Sequence, residues 1–94
     1  MKIFCLLITG TRNGEVYSPR IPIATNDIKK VEAALKEFAD ATKDEFKEEF
    51  ESGDWVIEAD EEGRFEACER DNYSKNQVLA LIFDKNLDEL DWFG

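Results

Sequence analysis

Val78-Leu79-Ala80-Leu81-Ile82-Phe83 is an unbroken apolar run, and the fold turns on whether it is helix or strand. Periodicity does not decide, because a short run buried on all sides looks alike in either conformation. The preceding Ser74-Lys75-Asn76-Gln77 has the spacing of a capping box, a hydroxyl with Glu or Gln three positions later, and so favours a helix. A buried strand fits the same six residues. The expectation is a short second helix, with the strand left open.

Upstream of this run, Trp55, Ile57 and Ala59 alternate with Val56 and Glu58. Residues 60–63 then supply a turn, and alternation resumes through Phe65 and Ala67, which predicts a hairpin. Before it, Ile28, Val31, Leu35, Phe38, Thr42, Phe46 and Phe50 recur every three or four positions. Thr25, Asn26 and Asp27 offer capping oxygens ahead of them, and Gly53 stands where a helix would stop. The spacing predicts an amphipathic helix over 27–51, with a second capping-box pattern at Thr42 to Glu45 able to split it in two.

At the start of the chain, residues 2–9 are apolar almost throughout and run into Asn13-Gly14, a strong hairpin dipeptide. The return arm, 15–24, contains Pro19 and Pro22, which lack the N–H that a central strand donates, so it belongs at a sheet edge. The resulting order is ββαββα, an α+β single domain over 1–94. Its two hairpins form a small antiparallel sheet with one long and one shorter helix on one face.

The charge is uneven. The chain has 22 acids against 12 bases, a net charge of −10, and 43% hydrophobic residues, enough for a core. Residues 44–62 hold ten carboxylates, Asp44, Glu45, Glu48, Glu49, Glu51, Asp54, Glu58, Asp60, Glu61 and Glu62, and one base, Lys47. On a single long helix, Lys29 and Lys30 would occupy the first turn and Glu48, Glu49 and Glu51 the last. That order opposes the helix dipole by about 0.3–1 kcal/mol per charge, and the acids also repel one another. A solvated, solubilising face is the plain reading of such a helix; the adverse dipole argues for a role outside the fold. Carboxylates one helical turn apart are about 6 Å apart, on the scale of successive phosphates of a nucleic-acid strand.

Catalytic patterns are missing. The sequence has no histidine, which removes Ser-His-Asp, Cys-His and His-containing zinc arrangements. It also has no Gly-rich phosphate loop, GxSxG elbow or dinucleotide fingerprint. The expectation is a non-enzyme with no cofactor. Cys5 and Cys68 lie in apolar or alternating stretches and read as buried free thiols. Glu58-x-Asp60-x-Glu62-Gly63 followed by Glu69 matches the ligand spacing of an EF-hand loop, but strand-like flanks replace the helices that motif requires, so a hairpin with an acidic turn is preferred and no metal site is expected. The C-terminal Leu87-Asp88-Glu89-Leu90-Asp91-Trp92-Phe93-Gly94 interleaves acids with large hydrophobes. Trp92 and Phe93 are either docked on the parent domain or anchors for a partner.

The longest apolar run, residues 3–8 and 78–83 alike, is far short of the about 20 residues that span a bilayer, so a cytoplasmic protein without a membrane partner is expected. In composition, size and lack of chemistry the chain resembles the small acidic inhibitors that phages make against nucleic-acid-handling defence enzymes, the anti-CRISPR and anti-restriction proteins, several of which mimic DNA. The resemblance spans composition and rests on no signature residue. It implies a protein-binding module whose acids, 44–62, dock on the basic surface of a nuclease or other nucleic-acid-binding complex. Direct nucleic-acid binding is not expected, since like charge would be added to the polyanion. The alternative is a structural or regulatory subunit assembling through its sheet edge or C-terminal aromatics, and a minor one is a weak calcium-binding module.

Overall fold

The computed structural model describes residues 2–71 and 76–86. The element order is β1 (Lys2–Arg12), β2 (Glu15–Val16), β3 (Arg20–Thr25), α1 (Ile28–Glu45), α2 (Lys47–Ser52), β4 (Trp55–Glu61), β5 (Arg64–Glu69) and β6 (Gln77–Asn86). The strands form one six-stranded sheet in the order β2-β1-β6-β5-β4, with β3 also pairing β1. Every pairing is antiparallel. The α+β class and the antiparallel sheet are as expected; the ββαββα order is not, since the return arm of the first hairpin is two strands, the second helix is α2 and the expected helix at 78–83 is a strand.

The correction lies in residues 78–83, which are strand, not a second helix. β6 fits between the hairpins, pairing β1 from Lys2↔Asn86 to Thr11↔Gln77 and β5 from Arg64↔Leu81 to Cys68↔Gln77. The cause is the demand of β1. Its backbone needs hydrogen-bonding partners on both sides, and the proline-bearing return arm can serve only one. A strand inserted there satisfies β1 and β5 together, whereas a helix would leave two inner edges bare. Of the capping-box pattern, Ser74 and Lys75 lie outside the described residues.

The remaining elements follow their local chemistry. Asn13 and Gly14 take positive φ, 54° and 83°, as the tight turn between Arg12 and Glu15 requires. Asp27 caps α1 by accepting the Lys29 N–H at 3.0 Å. The long helix is divided, but not by the capping box at Thr42 to Glu45, which lies within α1: Phe46, with φ −107° and ψ 28°, separates α1 from α2 without a side-chain cap, and Gly53 in the left-handed region (φ 87°) ends α2.

Two bulges set the register. Opposite Leu7, β3 accommodates an additional residue around Ile21 and Pro22, where a proline is tolerated. In β4 a shift between Ile57 and Ala59 makes Glu58 the extra residue. The bulge reverses the alternation read from the sequence, so Asp60, opposite Phe65, takes the helix-facing position expected of Ala59. The core between helices and sheet contains Leu6, Ile8, Phe65 and Ala80 from strands, with Val31, Leu35 and Ala39 from α1. Phe46 stacks on Trp55 with centroids 4.6 Å apart and planes 14° apart, and Phe50 meets Trp55 edge-on at 6.2 Å. These ring pairs fasten α2 to β4. The opposite sheet face carries Ile3, Leu7, Leu79, Leu81 and Phe83, all half-buried.

No helix among the described residues is long and apolar enough to cross a membrane.

Candidate functional site

The ten mid-chain carboxylates fall into separate groups. Asp44, Glu48, Glu51 and Asp54 are exposed on and just after the two helices. Glu37, Asp40 and Asp44 follow one another at three and four residues, so a stripe of acid runs along the outer face of α1 toward α2. At the tip of the β4–β5 hairpin, Asp60, Glu61 and Glu62 line a cavity of about 480 Å³ beside α1 together with Glu32 and Asp40, and Glu61 also borders the cleft of Glu58 and Cys68 on the far sheet face. Lys36 and Lys43 share this cavity. Lys43 binds Asp60 at 2.5 Å, a pairing that the Glu58 bulge creates by turning Asp60 inward.

Three of the ten point elsewhere. Glu45 and Glu49 line clefts at the end of the sheet beside Arg12 and Tyr17. Glu58 lies on the far sheet face, where its carboxylate is 3.7 Å from the Cys68 sulfur. The acids therefore form a helix stripe joined to a hairpin tip, with Glu45, Glu49 and Glu58 outside it. Sequence reasoning missed Glu32, Glu37 and Asp40. Their helical spacing from Asp44 was the available signal, but they lie outside the dense run that drew attention. Trp92 and Phe93 lie outside the described residues.

Among the described residues charge pairing is sparse. Among the described residues the ion pairs are Lys2 with Asp84 at 3.1 Å, Lys43 with Asp60 at 2.5 Å, and Arg64 with Glu66 at 2.5 Å. Of the ten carboxylates only Asp60 has a cationic partner among the described residues. The conflict with the helix dipole is smaller than expected. Because the helix breaks at Phe46, Glu48 and Glu49 stand in the first turn of α2, where the dipole favours acids. Lys29 and Lys30 remain at the unfavoured start of α1, whose first turn has no acid.

The EF-hand spacing resolves into a hairpin. Glu58 and Asp60 lie on opposite faces of β4, one beside Cys68 and the other beside Lys43, so two of the supposed ligands cannot converge. Among the described residues no group of three or more metal-ligating side chains comes together.

Cys5 and Cys68 are both buried and free. Burial pushes each thiol upward, and for Cys68 the neighbouring carboxylates of Glu58 and Glu66 push in the same direction. Both are kept as neutral thiols, poor nucleophiles. No family model, curated protein or solved structure matches the chain.

Proposed function

We propose that the protein is a non-enzymatic inhibitor or adaptor whose acidic surface docks on a basic surface of a nucleic-acid-handling protein, in the manner of the phage inhibitors it resembles in composition. The observation that carries this reading is the unpaired state of the acids: nine of the ten have no cationic partner among the described residues. Exposed carboxylates without internal partners leave their field to act outward, steering a cationic protein and repelling nucleic acid. The docking face is the stripe through Asp40, Asp44, Glu48 and Glu51 with the hairpin tip at Glu61 and Glu62. A histidine-free sequence without a nucleophile motif supports binding over catalysis.

The test is association with basic nucleic-acid enzymes at about 50 and about 300 mM salt, where screening lengths differ about twofold. Association should slow on the order of tenfold at the higher salt, and reversing Asp44, Glu48 and Glu51 to Lys should abolish it. Binding that ignores salt, or persists in the reversed variant, removes the proposal.

One observation favours the second reading, assembly through a sheet edge. The edge formed by β2 and β3 leaves Val16 73% and Ile21 51% exposed, large apolar groups on the same side of the sheet's rim. Light scattering decides it: a stable homo-oligomer indifferent to salt favours assembly through this edge over acidic docking.

A further inference from the structure

We infer that the groove between the C-terminal half of α1 and the adjoining end of the sheet binds a small amphiphilic anion, an oxyanion head carried on an aromatic body. The groove is a surface separate from the acidic stripe. Its main part is a cavity of about 400 Å³, within the range that holds small organic ligands. Past Arg12, Tyr17, Phe46 and Val78 lies a second cleft of about 270 Å³ that Trp55, Glu49 and Glu69 also line, and its two carboxylates confine an anion to the main part.

The walls and rim differ in chemistry. Ile8, Phe38, Phe46 and Val78 give it an apolar lining, and all belong to the core or pack directly against it. Phe46 is held by its stack on Trp55, so the aromatic wall is fixed before any ligand arrives. At the rim stand Arg12 and Arg20, and neither is ion-paired among the described residues. In a chain of net charge −10, the main cavity is lined by two guanidinium groups against one carboxylate, Glu45, a local excess of positive charge beside an apolar floor. Arg12 lies over the Tyr17 ring at 5.8 Å, which limits its freedom and leaves its donors available. A planar guanidinium takes carboxylate or phosphate oxygens through two parallel hydrogen bonds.

Glu45 lines the same cavity and opposes an anion. It therefore orients the ligand, with the head at the arginines and the body along Phe38 and Phe46. A simple inorganic anion lacks the body that offsets this repulsion, so burial of the apolar part has to supply the rest of the affinity.

The test is a titration of the full-length chain, followed by ¹⁵N–¹H correlation spectra, with indole-3-acetate, phenyl phosphate and the neutral indole-3-acetamide. Shifts should gather at Ile8, Arg12, Tyr17, Arg20 and Phe46, with the amide at least about tenfold weaker than the acid, as loss of a charge-assisted hydrogen bond implies. Whichever anion binds more tightly identifies the head group. Arg12→Gln and Arg20→Gln should each weaken binding on the order of tenfold, and Glu45→Gln should tighten it. All three positions are exposed, so unchanged spectra elsewhere would show intact folding. Absence of binding by both anions, shifts scattered over other surfaces, equal binding of the amide, or indifference to the arginine changes overturns the inference.

Discussion

Phe65 has no exposed surface, and its ring meets Phe38 edge-on at 6.5 Å in the centre of the core. Replacing it with Ala should cost about 3–5 kcal/mol, measurable as a lower urea midpoint at an unchanged slope. Gly10 is constrained in another way: a Cβ built there would drive into the Gln77 carbonyl of the neighbouring strand. Gly10→Ala should therefore cost about 1–3 kcal/mol through displaced backbone, while the apolar core keeps all its side chains. Cys68 gives a pH dependence. Its folded thiol titrates above the ordinary 9.0 because of burial and then Glu58. Above the unfolded value the denatured chain gives up its proton first, so the contribution of Cys68 to stability, complete below pH 9.0, should be lost as pH rises through the folded pKa. Cys68→Ala should flatten that alkaline arm of a pH–stability profile, and Glu58→Gln should raise the alkylation rate at pH about 8 by roughly a few-fold.

At the scale of elements, Asp27 is the most direct test of local design. Asp27→Ala removes the acceptor for the Lys29 N–H and should cost about 1 kcal/mol, read as a lower thermal midpoint. The start of α1 at Asp27 and the end of α2 at Gly53 were legible because caps and left-handed glycines act within a few residues of themselves, whereas the break at Phe46 has no capping side chain to announce it. The identity of residues 78–83 was not legible from within, since what makes them a strand is the unfilled side of β1 at the other end of the described chain. A non-local route to it was open: prolines confine the return arm to an edge, β1 therefore needs another neighbour, and 78–83 is the remaining apolar run of suitable length. The Glu58 bulge was invisible for a related reason, because alternation by itself cannot report where one strand gains a residue on its partner. That bulge decides which side Asp60 faces, and so part of the candidate surface escaped a reading of the run of acids alone.

For the whole molecule, the charge is unbalanced. With a net charge of −10 and few internal ion pairs among the described residues, the folded chain repels itself. Raising salt from about 20 to about 200 mM should lift the thermal midpoint by a few degrees through screening; a midpoint that stays put or falls would mean the acids do not strain the fold. The clustering of acids was apparent from the sequence, but their division between helix stripe, hairpin tip and sheet end depends on how α1 lies across β4 and β5. The position of β6 has a further outcome during synthesis. Of the described strands it is the last to leave the ribosome, yet it joins β1, the first, along nearly its whole length. Until then each hairpin waits with a bare rim, open to strays of the same kind, and such long-range closure belongs to the milliseconds-to-seconds class of folding reactions. Maturation of the sheet should thus wait for β6 to emerge and be sensitive to crowding by nascent copies of the same chain.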